Sequence, residues 1–320
     1  MPLIDMPLAQ LRSYQGRNPR PADFDSYWDE SLAEMRAIAP EIELRPVDIG
    51  SRAADCFDLF FTGVGGARIH AKYLRPRAST GKHPAVVLFH GYNWSSGDWN
   101  DKLAWVSQGY SVAALDVRGQ SGQSQDLGGT LGKTSVGHFI RGVADGDPKK
   151  MVFRSVFLDT AQLAGIVMQM DEVDPARVGA TGGSQGGALT LVCAALEPRI
   201  KKAAAIYPFL SDYQRVREMD LAVGAYNEIK DHFRSFDPTH AQEAELFTRL
   251  GYIDIQHLAP RIRADVWMGC GLMDSICPPS TQFAAFNKIT SSKHVEIYPD
   301  FGHENIPTLG DSIFQFLSDL

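Results

Sequence analysis

Six short, nearly continuous apolar runs recur along the chain, and stretches with helical spacing lie between most of them. The runs are HPAVVLFHG (83–91), SVAALDVRG (111–119), ARVGATG (176–182), KAAAIYPFL (202–210), ADVWMGCGL (264–272) and KHVEIYP (293–299). Runs of this length without polar alternation fit strands buried on both faces of a parallel sheet. Helical segments fall near 99–108, 155–171, 185–197, 279–290 and 303–319. The alternation predicts an α/β fold with a doubly wound, mostly parallel sheet and right-handed crossovers.

Ahead of this pattern, residues 22–38 read as an amphipathic helix with Asp23 as its N-cap. CFDLFFTGVGGARIHAKYLRP then reads as an antiparallel hairpin turning at Gly-Val-Gly-Gly, expected on one edge of the sheet. Two segments break the rhythm. Residues 120–150 are rich in Gly and Ser with little apolar periodicity, and residues 211–250 are polar and helical in pattern, inserted between two strands. Long insertions on a compact domain are usually functional loops, lids or contacts between subunits. No repeat or linker divides the 320 residues, so a single domain (1–320) is expected.

Composition narrows the partners. The net charge is −7 and no dense Lys/Arg stripe occurs, which argues against nucleic acid. No window approaches 18 uninterrupted apolar residues, and the N-terminus lacks the basic start and apolar core of a secretory signal. Cys56, Cys193, Cys270 and Cys277 form no C-x-x-C pair, and reduced thiols in a cytoplasmic protein are the expectation.

Gly-x-Ser-x-Gly occurs once, as Gly182-Gly183-Ser184-Gln185-Gly186, with a strand before it and a helix after it. This is the context of a nucleophile elbow. A serine on a sharp strand-to-helix turn needs glycine two positions either side, because a side chain there would strike neighbouring backbone. The turn aims the amide of Gln185 at the space where an oxyanion would form. A dinucleotide fold is the rival reading. TGGSQGGA is one residue short of the glycine turn of short-chain dehydrogenases, and Tyr226 to Lys230 mimics their Tyr-x-x-x-Lys pair. That turn should follow the first strand of the sheet, whereas here it follows the third parallel one. The Tyr/Lys pair also lies too close downstream, within the polar insertion.

The serine needs a base and an acid. Where an elbow serves catalysis, the chain order is Ser, then Asp or Glu, then His, each in a loop at a strand's C-terminal end. Asp274 leaves the strand DVWMGCGL, and His303 lies in the loop after HVEIYP. Asp265 and Asp300 suit a strand start and a turn. His90, ending a strand before Gly91, suits a histidine bonded to backbone. His70, His83, His138, His232, His240, His257 and His294 lack a strand-exit context near the chain's end. No H-E-x-x-H or similar spacing occurs, and the reaction envisaged calls for neither metal nor cofactor. By position, the amide of Tyr92 is the second oxyanion donor.

Arg118-Gly119-Gln120 after a strand, GGSQGG at the elbow, His303-Glu304, and HGYNWSSGDW at 90–99 line up together. With these motifs the chain resembles the acetyl xylan esterase/cephalosporin C deacetylase family of carbohydrate esterases, over nearly its whole length. The resemblance implies an α/β-hydrolase fold, the triad Ser184, Asp274 and His303, and an oxyanion hole of the Tyr92 and Gln185 amides. It implies removal of acetyl groups from acetylated xylo-oligosaccharides and other small acetyl esters, including cephalosporin C. It also implies a cytoplasmic homo-hexamer, with 120–150 as an interface loop. Two alternatives belong to other classes: a general short-chain carboxylesterase or peptidase of the same fold, and a non-catalytic ligand-binding scaffold. A final expectation pairs Arg118 with Glu304 as a brace for the loop carrying His303.

Overall fold

The structure is a computed structural model that describes residues 4–78, 81–128, 137–220 and 223–320. Nine strands among these residues form one sheet: β1 (Glu43–Val47), β2 (Ala54–Thr62), β3 (Arg68–Pro76), β4 (His83–Phe89), β5 (Ser111–Leu115), β6 (Val173–Gly183), β7 (Lys202–Ile206), β8 (Asp265–Gly271) and β9 (Lys293–Tyr298). Their spatial order is β1-β2-β3-β5-β4-β6-β7-β8-β9. The first four in that order pair antiparallel, and every pair from β5–β4 onward is parallel. The hairpin β2–β3 lies where the sequence pattern places it, but β1 extends it by one strand. β1 escapes a search for apolar runs because it is an edge strand, Glu-Leu-Arg-Pro-Val, with no fully buried residue.

All six apolar runs contain strands. β4, β5 and the middle of β7 are almost wholly buried, as a strand covered on both faces requires. Helices Val152–Val167, Gln185–Leu196 and Pro279–Lys288 cover one face together with Phe24–Ala37. Helices Leu103–Ser107 and Leu309–Leu317 cover the other, where Val106, Ile313 and Leu317 pack on the sheet. The last helix begins at Leu309 rather than near 303, because the residues before it form the loop that holds His303. Asp23 does precede the helix Phe24–Ala37, but its side chain caps nothing; its Oδ1 accepts the Tyr252 hydroxyl instead.

Both insertions are more deeply packed than their composition suggests. Within 120–150, residues 129–136 lie outside the described residues, yet Phe139 is fully buried and stacks on Tyr213 of the second insertion, with centroids 5.6 Å apart. The second insertion carries helices Tyr213–Glu218, Asn227–Phe236 and Glu243–Leu250, and sends Tyr226, Phe233 and Phe247 into the core. The two insertions thus pack on each other above the C-terminal ends of the strands.

Candidate active site

The strand order reverses at β4, whose neighbours β5 and β6 lie on opposite sides. In open α/β sheets the crevice for ligands opens outside the carboxyl ends of the strands at such a point. Ser184 stands there, immediately after β6, and Tyr92 lies in the loop after β4. Ser184 has φ 59° and ψ −118°, a backbone conformation that costs about 1–3 kcal/mol and persists only where its surroundings impose it. Its amide donates to Ile206 O at 3.0 Å, and its carbonyl accepts from Phe209 N at 3.1 Å. The flanking glycines explain how the turn fits. A Cβ on Gly182 or Gly186 would stand 2.4 or 2.0 Å from the Phe89 carbonyl oxygen, so the helix could not approach β4 with any larger residue.

The three side chains meet. His303 Nε2 lies 2.9 Å from Ser184 Oγ, and its Nδ1 lies 2.9 Å from Asp274 Oδ2. A carboxylate only accepts, so Nδ1 carries the proton and Nε2 is left to accept from the serine hydroxyl. Asp274 is fully buried, and its Oδ1 accepts the amides of Ile276 at 2.9 Å and Cys277 at 2.7 Å. These amides fix the carboxylate before any substrate arrives. The His303 ring packs beside Tyr207, with centroids 4.5 Å apart. Asp265 and Asp300 make no hydrogen bond to it.

Gln185 is the first residue of its helix, so its amide has no intrahelical carbonyl to bond. Among the described residues neither this amide nor that of Tyr92 donates to a protein group. Gln120 holds the two loops that carry them. Its Nε2 donates to Gln185 Oε1 at 2.7 Å, while its Oε1 accepts from Gln185 Nε2 at 3.2 Å and from the Asn93 amide at 2.9 Å. The Tyr92 ring is fixed separately: its hydroxyl donates to Glu228 and accepts the Phe139 amide at 3.0 Å. Burial raises the Glu228 carboxyl above its ordinary value, although Tyr92 and nearby amides oppose this. Neither the Gln120–Gln185 clasp nor the Tyr92–Glu228 contact carries a sequence signal, since each joins residues far apart in the chain.

The expected Arg118–Glu304 pair does not form. Arg118 is buried and clasps Asp159 with two bonds, Nε to Oδ2 at 2.5 Å and Nη2 to Oδ1 at 2.7 Å, and it donates to Val64 O. Glu304 instead accepts the Gly302 amide at 2.9 Å, closing a turn within the His303 loop itself. Asp159 offered no clue because it sits in the middle of a mostly apolar helix, far from Arg118 in the chain. His90 bonds to backbone on both sides, accepting Val117 N at 3.0 Å and donating to Gly91 O at 2.7 Å. Tyr226 and Lys230 do not converge on the glycine turn: the Tyr226 hydroxyl bonds the backbone of Ser211, and Lys230 is exposed. The dehydrogenase reading therefore has no site.

A mostly parallel sheet with a strained serine turn at its switch point, and Asp and His following in that order, has the α/β-hydrolase architecture. Solved structures of low identity share it, such as an acylaminoacyl peptidase of Pyrococcus horikoshii (15% identity, TM-score 0.55, 88% of this chain and 43% of that one). More specifically, the whole chain, residues 1–320, matches the acetyl xylan esterase (AXE1) family, and the protein belongs to that family. Acetyl xylan esterase 1 from Thermoanaerobacterium sp. is 59% identical, with a TM-score of 0.97 over 98% of this chain and 99% of that one. An acetyl xylan esterase from a Paenibacillus species is 35% identical, with a TM-score of 0.93 over the same shares. The acetyl esterase Axe7A of Xylanibacter ruminicola is 27% identical over 286 residues, 87% of this chain; the chain spans 62% of that protein's length.

Proposed function

We propose that the protein is a serine carboxylesterase that removes acetyl groups from acetylated xylo-oligosaccharides and other small acetyl esters, cephalosporin C among them. The observation that carries this reading is the unbroken chain of hydrogen bonds from Ser184 through His303 to the buried Asp274. His303 takes the proton of Ser184 Oγ as the oxygen attacks the acetyl carbonyl, and the amides of Tyr92 and Gln185 receive the oxyanion. Collapse expels the sugar hydroxyl, protonated by His303. Water then repeats the cycle on the acetyl-serine and releases acetate. Asp274 keeps the imidazole in the tautomer that can accept from serine and stabilises the imidazolium that forms.

A cavity of about 480 Å³ opens beside Tyr92, lined by polar side chains that include Asn93, His138, Arg141, Asn227 and Asp231. The names of the relatives, acetyl xylan esterase and acetyl esterase, support hydrolysis of acetyl esters. A homo-hexameric, cytoplasmic state is part of the same proposal, and sedimentation of the purified protein tests the assembly.

The test is kcat/KM across acetyl, propionyl and butyryl esters beside acetylated xylo-oligosaccharides, with and without a serine-directed phosphonate. Steep loss with acyl length, high rates on the sugars and abolition by phosphonate are expected. Flat acyl dependence with poor sugar turnover would favour a general carboxylesterase, and no turnover a binding scaffold.

A further inference from the structure

Cys277 has no task in the reaction just described, yet it is fully buried against the reacting groups. The turn that fixes Asp274 puts it there: the Cys277 amide donates to Asp274 Oδ1, which folds the chain back over the carboxylate. As a result a carboxylate oxygen of Asp274, the Cys277 sulfur and an imidazole nitrogen of His303 all lie within 4.8 Å of one another. No other trio of His, Cys, Asp and Glu side chains comes this close among the described residues. Cys56, Cys193 and Cys270 are buried too, but without such neighbours.

We propose that Asp274, Cys277 and His303 bind a thiophilic divalent cation of the zinc class, and that its binding switches the enzyme off. One sulfur, one nitrogen and one oxygen make a donor set suited to zinc or cadmium, and unlike the all-oxygen shells of magnesium and calcium. Ligand bonds of about 2.0–2.3 Å need the three atoms to draw together slightly, which a side-chain adjustment supplies. Three protein ligands leave a fourth position for water or for Ser184 Oγ. The His303 side chain is 20% exposed, so the cation reaches the site from the substrate side.

A thiol ligates as its thiolate, so the cation binds with release of the Cys277 proton to solvent. Carboxylate, thiolate and a doubly charged ion then sum to zero, so the buried site holds no net charge. With His303 or Asp274 committed to the metal, the proton relay from Ser184 is broken. The inhibition rests on the serine-hydrolase reading; the binding does not.

The experiment titrates the full-length protein with Cd²⁺, reading the thiolate-to-cadmium ultraviolet band, and with Zn²⁺, reading 4-nitrophenyl acetate hydrolysis before and after EDTA. One thiolate band per chain is expected, absent in Cys277→Ser. The Zn²⁺ concentration for half-inhibition should rise about 100-fold or more in that variant, relative to its own metal-free rate. Ser184→Ala should keep the cadmium band. Persistence of the band, or of full Zn²⁺ sensitivity, in Cys277→Ser overturns the proposal, as does absence of the band from the unmodified protein. Should Cys277→Ser not fold, the unmodified protein decides: Zn²⁺ must slow phosphonate labelling of Ser184, and unchanged labelling overturns the site. A band in Ser184→Ala with turnover undiminished would sink the esterase mechanism while leaving the metal site standing.

Discussion

His303 and His70 each bridge a buried carboxylate and a second side chain, one in each half of the sheet, and only one is placed to do chemistry. In the parallel half, His303 bridges the buried Asp274 and the Ser184 hydroxyl, and its side chain is partly open to solvent. In the antiparallel half, His70 on β3 bridges Asp116 at 2.6 Å and Asp58 at 2.9 Å, and is fully buried. Both of its ring nitrogens face carboxylates, so neither can take a proton from a substrate. Burial alone would raise the Asp116 carboxyl. The hydrogen bond from His70 and the amides of Gln123 and Ser96 outweigh that and hold it well below the usual range. The same carboxylate also ties down the turn after β5 through Gln123 N and the loop after β4 through Ser96 N. An imidazole–carboxylate pair is therefore not in itself an active site. The third partner and access decide.

The two sites separate most clearly in their kinetics. Ser184→Ala should lower kcat by about 10⁴–10⁶ with the thermal midpoint almost unchanged, measured on 4-nitrophenyl acetate. Asp274→Asn should cost about 10⁴, because the imidazole is then free to adopt the wrong tautomer. His70→Ala should do the reverse. Losing the partner of a buried carboxylate destabilises by about 3–5 kcal/mol in urea unfolding, while the folded fraction keeps most of its kcat. A catalytic collapse in His70→Ala without a stability loss would erase the distinction between the two sites.

Arg118→Ala belongs with His70, since it strands the buried Asp159. A loss of about 3–5 kcal/mol is expected, with much of it recovered in Arg118→Met/Asp159→Leu.

The smallest effect concerns histidines with no carboxylate partner. Burial and the Arg141 charge push His138 down from 6.5 to about 4, and burial with the Lys288 and Arg20 charges pushes His257 down to about 3. Unfolded, each takes a proton near 6.5. Their contribution is thus complete above that pH and is lost as the pH falls through 6.5 toward the folded values. Asp254, raised from 3.8 to about 7 by burial and by Asp212, acts oppositely and stabilises less as the pH rises between those values. Burial also pushes His83, His90 and His232 down and Glu228 and Asp159 up, so the midpoint carries contributions of both signs from pH 6.5 to 4, to which His257 adds a downward slope as the pH falls. His257→Leu should take that contribution away, and an unchanged slope would remove His257 from the account.

What could be read from the sequence follows the same division. The strands of the parallel half announce themselves because burial on both faces demands uninterrupted apolar runs, and Ser184 announces itself because its turn admits only glycine at 182 and 186. Asp274 and His303 were legible as loop residues at strand ends. β1 was not, since an exposed edge needs no apolar pattern. The packing of Phe139 was hidden in a segment of low apolar content. The clasps Arg118–Asp159, Gln120–Gln185 and Asp58–His70–Asp116 were invisible for one reason: each joins residues that no periodicity relates, and only the folded sheet brings them together.

In the proposed mechanism Ser184 carries the acetyl group during turnover. It is tested by mixing Asp274→Asn, in which deacylation is slowed, with 4-nitrophenyl acetate, quenching in acid and locating the acetyl group by peptide mass spectrometry. One acetyl group is expected, on the Ser184 hydroxyl, absent when Ser184→Ala is added. Acetyl on another side chain, or steady hydrolysis with Ser184 never acetylated, would contradict it.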